Sequence, residues 1–532
     1  LGFGNDEVQY IIPSPNHKWS PLYRKPRLHK ALIKLAIKKM NQVCDHRIAG
    51  NGKFDNLFLE HHLGIKPILT FDTNLASPCL DENTPNGVKE NAILECNAHD
   101  WDVNKTIKTG NLNSHQDYKD YIEYLGYDIY YEYKLFEVFN PRIQNQGLDK
   151  LFFHLYMPCI RAYEDIEANG IYVNQEQFEA VEEKLKGDLA QIDKKLAEYK
   201  KDINWASPVQ LGEFLYEELK LPVLETTPSG KPATGESVLL RLRGEHPVVQ
   251  LILDRRGVAI QISHFIDGWK SFIHNGRMNP SFQMTTVTGR TSCKNPNLQQ
   301  VPRDPIIRNL VSAPEGYAFI EVDFSQAELR VAALMSQDET MMKAYKEGID
   351  IHTLTYEMVS HERLSSDPKE AKEQRKKAKA INFGFLYGMG FRKFKEYARD
   401  SYGVEVTEDE AKQIRQNFFR TYSALPDWHE KQRKMVRMEG QVRNLIGRVR
   451  RLPNIYSVEQ GKRAEAERQS INSPVQGFGS DLTLLGMAEA AQYSLRKNHK
   501  WSLDKTQFRC VGTVHDATLF EVKIEYLAEF IP

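Results

Sequence analysis

Val322-Asp323-Phe324-Ser325-Gln326-Ala327-Glu328-Leu329-Arg330 is the stretch on which the reading of this 532-residue chain turns. The apolar run just before it, Ala318-Phe319-Ile320-Glu321-Val322, predicts a strand that delivers Asp323 at its end. A helical pattern, Ala327-Glu328-Leu329-Arg330-Val331-Ala332-Ala333-Leu334-Met335, follows at once. A carboxylate at the open end of a rigid strand is well placed to hold a divalent cation. The plainer alternative is a helix N-cap, a role that Asp323 or Ser325 could fill.

A second segment is Arg375-Lys376-Lys377-Ala378-Lys379-Ala380-Ile381-Asn382-Phe383-Gly384-Phe385-Leu386-Tyr387-Gly388. Arg375, Lys379, Phe383 and Tyr387 are spaced four apart, so on an α-helix they lie along one stripe. Two cations followed by two aromatics suit neither a core face nor a solvated one. They suit a nucleoside triphosphate, whose phosphates meet cations and whose sugar and base meet rings. An amphipathic helix with basic stems over apolar surface is the bland alternative.

A third segment, Val511-Gly512-Thr513-Val514-His515-Asp516-Ala517-Thr518-Leu519-Phe520-Glu521-Val522, places His515-Asp516 between two β-rich runs and predicts a hairpin with a carboxylate at its tip. Taken alone, an aspartate there need only shape a turn. Two carboxylates on neighbouring strand ends could instead share a pair of Mg²⁺ ions for phosphoryl displacement. Sequence alone does not bring Asp323 and Asp516 together.

In this order the three segments resemble motifs A, B and C of the family A DNA polymerases. DFSQAELR is similar to D-Y-S-Q-x-E-L-R, the second segment fits R-x₃-K-x₃-F-x₃-Y-G, and VHDA is similar to V-H-D-E, with Ala517 where the family has Glu. Further similarities are Thr288-Gly289-Arg290-Thr291-Ser292, Asp350-Ile351-His352-Thr353, Gly447-Arg448-Val449-Arg450-Arg451, and Arg468, Asn472 and Gln476.

The resemblance implies a multidomain α/β and α+β chain. An RNase H-like 3′→5′ exonuclease domain (1–150) is expected, followed by a right-hand polymerase: thumb (151–275), palm (276–345 and 466–532) and fingers (346–465). It implies DNA-templated extension of a primer 3′-hydroxyl with dNTPs. Asp323 and Asp516 would hold two Mg²⁺ ions, with Mn²⁺ as an alternative, and Lys379 would be a candidate general acid. Arg375, Lys379, His352, Gln326, Phe383 and Tyr387 would handle the nucleotide, and Glu328 would exclude a ribose 2′-hydroxyl. Arg290, Arg468, Asn472, Gln476 and His515 would contact primer–template DNA. A processivity or replisome partner is compatible with the resemblance.

In the N-terminal part, Asn51-Gly52-Lys53-Phe54-Asp55 and Tyr124-Leu125-Gly126-Tyr127-Asp128 resemble the second and third motifs of a proofreading exonuclease, marking Asp55, Tyr124 and Asp128. The Asp-x-Glu that such a site also needs has no match, because Asp6 and Glu7 are adjacent. The chain is therefore expected to be a fragment that begins past that motif, at Leu1, and stops inside a helical stretch at Ile531-Pro532.

Composition agrees. Charged residues at 27% and aromatics at 10% suit a packed globular protein, and no apolar run reaches membrane-spanning length. Six cysteines without CxxC spacing argue against a zinc site or a disulfide framework. These features lead to an expected location in the cytoplasm, that of the host cell if the source is a phage, towards which the compact spacing and the VHDA tip lean. The formal net charge is zero, yet residues 372–463 hold 22 Lys and Arg against 11 Asp and Glu, a net of +11. A local basic surface of that kind attracts polyphosphate, with Arg448, Arg450 and Arg451 expected to join it.

Three rivals are weighed against the polymerase reading. A single-subunit RNA polymerase shares related motifs, but Glu328 and the exonuclease-like N-terminus oppose it. A DNA-binding relic is opposed by the intact aspartates and stripe. A nuclease whose polymerase half only grips DNA would shorten primers without extending them.

Overall fold

The computed structural model describes residues 1–302, 304–493, 507–514 and 516–531. At its centre lies a three-stranded antiparallel sheet, Tyr317–Asp323 beside Ala517–Lys523 beside Phe508–Val514. Val514 pairs with Ala517, so the two strands run antiparallel up to that end, as the expected hairpin requires. The pairing of Tyr317 with Lys523 runs down the strand to Asp323 opposite Ala517. One face of the sheet is backed by the helix Met157–Asn169, which packs on Phe508–Val514 and on the 34-residue helix Gln460–Tyr493. The second hairpin strand is buried on both faces from Ala517 to Val522, and Val511, Leu519, Phe520 and Val522 enter this core.

A second core belongs to the helices after the first strand. Leu329, Ala332, Met341, Ile351, Ile381, Phe385, Phe394, Phe418 and Trp428 cluster there, joined by Ile471 and Val475 from the long helix. The helix Ala327–Ser336, expected within the palm, thus packs with helices of the stretch expected as fingers. A third, smaller cluster (Leu196, Trp205, Leu215, Leu239, Val249, Ile252) lies in the stretch expected as thumb, around the helices Gln175–Tyr199 and Pro247–Gln261. Asn174 caps the first of these by accepting from Gln177 N, as its position before the apolar periodicity implies. Met157–Asn169, inside the stretch expected as thumb, packs instead with the sheet.

Residues 1–150, expected as an RNase H-like domain, hold short strands among helices. The strands described there are an antiparallel pair, Gly2–Gly4 with Gln9–Ile11, and a parallel pair, Ile48–Ala49 with Phe71–Asp72. Their apolar residues recur at helical spacing, so the region is organised by the helix His115–Asn145, which buries Tyr131, Leu135, Phe136, Phe139 and Ile143. That core runs without a break into the core under the sheet.

Two buried ionic clusters also fasten the N-terminal region to the rest. Lys53 pairs with Glu167, and Glu82 receives both Arg450 and Arg451. Arg448 is likewise buried against Asp481 and Tyr156. The three arginines expected on a basic surface are therefore internal struts. The reason is that this bend of chain meets buried carboxylates, and a buried charge needs a partner. All six cysteines are free, and among the described residues no helix is long and apolar enough to cross a membrane.

Candidate active site

Asp323 ends its strand in an exposed position, and the cross-strand pairing of Asp323 with Ala517 sets Asp516 one residue beyond, at the same end of the sheet. The two aspartates that sequence left apart are therefore brought to one edge. Neither caps the next helix. The N-cap of Ala327–Ser336 is Gln326, in the left-handed region at φ 57°, with no side-chain cap. That twist is uncommon for a residue with a Cβ. It turns the Gln326 amide to donate to Asp350 Oδ1 (3.1 Å) and to accept from the Tyr345 hydroxyl (3.2 Å). His515 lies outside the described residues.

The helix Pro368–Leu386 carries the cation–aromatic stripe. Arg375, Lys379, Phe383 and Tyr387 are all half-buried, while Ala378, Ile381, Phe385 and Leu386 of the other face enter the second core. The stripe is thus neither core nor open surface, which is what a groove wall requires. Gly388, at φ +74°, stops the helix just after Tyr387, and His429 Nε2 bonds the Leu386 carbonyl at 2.8 Å. This ending points the Tyr387 hydroxyl at Glu328, to which it donates. Burial, and then the Glu328 charge, hold the Tyr387 hydroxyl firmly protonated.

Glu328 has a second partner, Arg290, at 2.7 Å. Arg290, expected to face DNA, is tied to the Glu328 carboxylate. It follows Gly289, whose φ of +78° and near contact with Arg448 leave no room for a Cβ: one built there would stand 2.5 Å from Arg448 Cζ. The glycine is what lets this loop lie on the buried Arg448–Asp481 pair.

At the other end of the stripe, Arg375 forms a two-pronged bond with Asp350, 3.0 Å from Nε and 3.0 Å from Nη2. Burial pushes the Asp350 carboxyl up, but bonds from Arg375 and Thr353 more than reverse it and hold it well below the usual carboxylate range. His352, next to it, is 3% exposed and bonds Asn382 at 2.9 Å. Burial lowers its pKa to about 4, so the ring is neutral at neutral pH. The sequence had marked His352 but not Asp350, Tyr345 or Asn382. Asp350 carried one usable signal, its place as the N-cap of Ile351–Ser360 directly before a marked histidine.

Arg468, Asn472 and Gln476 stand four apart on Gln460–Tyr493; Arg468 is exposed, and the other two are half-buried. In the N-terminal region, Asp55 lies in the first turn of the helix Gly52–Leu63, while Asp128 lies on His115–Asn145. Both line one cavity of about 970 Å³ together with Glu132. Tyr124 does not line it but bonds Asp128, which also accepts from Trp101 Nε1 at 2.8 Å. Among the described residues, no group of three acidic, histidine or cysteine side chains is disposed to hold a metal ion.

Two aspartates thus stand at one sheet edge, and the cation–aromatic helix ends at Tyr387, which reaches Glu328 on the helix just after that edge. The model of the DNA polymerase family A matches residues 175–532. DNA polymerase I of Aquifex aeolicus is 31% identical over 91% of this chain and 82% of its own length. Thermostable DNA polymerase I of Thermus filiformis is 34% identical over 67% of this chain but 43% of its own length. The structure of the POL domain of Pol1 from M. smegmatis, in complex with DNA primer-template and dNTP, shares the fold: TM-score 0.78, 22% identity, 96% of this chain and 84% of that one. The chain belongs to DNA polymerase family A, and as a member is a DNA-directed DNA polymerase. It spans under half the length of its Thermus relative.

Proposed function

We propose that this chain extends a DNA primer 3′-hydroxyl with dNTPs by two-metal nucleotidyl transfer. The observation that carries the reading is the register of Asp323 opposite Ala517, which sets two carboxylates, Asp323 and Asp516, at one sheet end. Mg²⁺ asks for only one or two carboxylates, with water and phosphate oxygens completing its shell, so this donor set fits, and Mn²⁺ would fit it too. When bound, the cations would supply acid strength at the attacking hydroxyl and at the leaving pyrophosphate.

The chain's own groups do the rest. Arg375 and Lys379 bind the triphosphate, and Lys379 is placed along the stripe to protonate the leaving group. Phe383 and Tyr387 pack on the sugar and base. Glu328, fixed by Tyr387 and Arg290, fills the space that a 2′-hydroxyl needs. His352 and Gln326 brace the phosphate end through Asn382 and Asp350. Arg468, Asn472 and Gln476 form one helical stripe for the primer–template, reading backbone and minor-groove acceptors common to all base pairs. That the M. smegmatis neighbour holds DNA primer-template and dNTP supports these partners.

A second reading adds a proofreading-type exonuclease in residues 1–150. The observation favouring it is that Asp55 and Asp128 share one cavity. No cleavage step is assigned to them.

Primer extension with Mg²⁺ tests the main reading, using dNTPs and rNTPs separately and the Asp323→Ala variant beside the parent. Extension with dNTPs alone, lost in the variant, is the expected result. Tight DNA binding without extension by the parent would sink it. Shortening of a mismatched primer end, lost in Asp55→Ala, is the corresponding result for the exonuclease.

A further inference from the structure

The short ribbon Ser281–Gln283 with Ser292–Lys294 carries the loop that ends in Arg290. Phe282 lies opposite Cys293, and its own N–H and C=O are turned away from the ribbon. Such an open strand edge must be satisfied by something. Here two side chains do it. Phe282 N–H donates to Glu167 Oε1 at 2.6 Å, and Phe282 C=O accepts from Lys53 Nζ at 2.5 Å. Lys53 and Glu167 are paired with each other, and both are almost fully buried, 9% and 8% exposed. The Tyr163 ring stacks on Phe282 with centroids 5.4 Å apart, and Asn279 donates to the Glu167 carbonyl at 2.7 Å.

Lys53 comes from the first turns of Gly52–Leu63, the helix that also carries Asp55. Glu167 comes from the helix behind the catalytic sheet. A charge pair drawn from two regions thus replaces the missing strand neighbour of the ribbon. A hydrophobic pair would hold the two regions together as well, since buried ion pairs seldom add net stability. The feature a hydrophobic pair could not reproduce is the directed grip on both backbone groups of one residue.

We propose that Lys53 and Glu167 are positioning residues for polymerisation: they fix the ribbon so that the loop Met284–Thr291, with Arg290, is held against Glu328 and presented to the primer–template. The N-terminal region thereby shapes DNA binding in the polymerase half. The inference rests on the polymerase reading above, and the extension activity of the parent chain is the control that separates the two.

The test uses the whole chain with three variants: Lys53→Met, Lys53→Arg, and the charge swap Lys53→Glu with Glu167→Lys. Primer–template Kd, dNTP KM at saturating DNA, and melting temperature are measured on each. Lys53→Met is expected to weaken primer–template binding about tenfold with dNTP KM little changed, the size of a lost bond to a charged group. Lys53→Arg keeps a donor and is expected to stay within about twofold of the parent. The swap restores the ion pair and with it the melting temperature. Its carboxylate at 53 cannot donate to Phe282 C=O, and its ammonium at 167 cannot accept from Phe282 N–H, so DNA binding stays weak. Parent-like DNA binding by Lys53→Met, or its recovery in the swap, overturns the proposal. So does loss of DNA binding in a Lys53→Arg protein that melts like the parent. If Lys53→Met does not fold, the swap and Lys53→Arg decide.

Discussion

Asp323 and Ala517 face each other across the antiparallel sheet. The pairing explains the meeting of the two aspartates at one sheet end and places Ala517, which departs from the V-H-D-E pattern, inside the strand. Ala517 is 3% exposed and its carbonyl accepts from the Thr513 hydroxyl at 3.0 Å, so its place is structural. Because Asp323 is exposed, Asp323→Asn should leave the melting temperature and DNA binding nearly unchanged. Extension should fall by about 10³-fold or more, as expected for loss of a cation-binding group. Ala517→Glu places a third carboxylate beside the pair. Without divalent cation it should destabilise the protein by about 1–3 kcal/mol, through a buried unpaired charge. It should also shift half-maximal activity to lower Mg²⁺, which a metal titration reads directly.

The gate carboxylate can be tested through its two supports. Glu328→Ala removes the acceptor of both Tyr387 and Arg290. Discrimination against rNTPs should drop by about 10²-fold, the size open to exclusion of one hydroxyl by a shaped, polar site. Tyr387→Phe keeps the ring and frees Glu328 on one side only, so it should lose a smaller part. Unchanged rNTP incorporation in Glu328→Ala would remove the gate role.

Arg375 is held by Asp350 before any triphosphate arrives. The pair is partly open to solvent, with side chains 40% and 32% exposed, so its worth is at most about 1 kcal/mol. Asp350→Asn keeps a good N-cap for Ile351–Ser360 and drops the charge. Steady-state kinetics should show dNTP KM lowered by about two- to fivefold, because the guanidinium no longer has to exchange partners. A raised KM would instead mean that Asp350 orients Arg375 throughout the cycle.

The N-terminal cavity should respond to pH through Glu132. Burial, followed by the charge of Asp128, pushes its carboxyl up to about 8. The folded chain therefore holds a proton that the unfolded chain releases near the ordinary value of 4.5, so this group costs stability as pH climbs from about 4.5 to 8. Glu132→Gln imitates the protonated form. It should raise the melting temperature at pH 8, by up to about 4 kcal/mol of stability, and change it little at pH 4, below the ordinary carboxylate value.

Local periodicity made the helix of Arg375 and Tyr387, the hairpin around Asp516 and the strand of Asp323 legible in sequence, because each is set by neighbours in the chain. The partners were not legible. Asp350 reaches Arg375, Glu82 reaches Arg450 and Arg451, and Lys53 reaches Phe282 across long stretches of chain. A charge count cannot tell a basic surface from buried struts, so the +11 of residues 372–463 overstated what is left to face DNA. The RNase H-like expectation rested on short motifs, whereas the long apolar periodicity of His115–Asn145 made its buried helix legible directly. The lean towards a phage source has only the sequence behind it; the Aquifex and Thermus relatives are bacterial.

Two buried histidines set the acid limit of the helical core that carries the cation–aromatic stripe. His352 bonds Asn382, His429 bonds the Leu386 carbonyl beside the stripe, and each is 3% exposed. Burial is the main cause that lowers each to about 4. Between that value and the ordinary 6.5, the unfolded chain binds protons that the folded chain refuses. Stability therefore rises with pH across the window and is lost as pH falls through it, by at most about 3 kcal/mol for each ring. Melting measured from pH 7.5 down to 4.5 should show this loss. His429→Gln cannot take up a proton, yet its amide can still donate to Leu386 C=O, so it should flatten the acid limb by roughly one histidine's share. An acid limb of unchanged steepness in His429→Gln would show that His429 is not among the groups that titrate on unfolding.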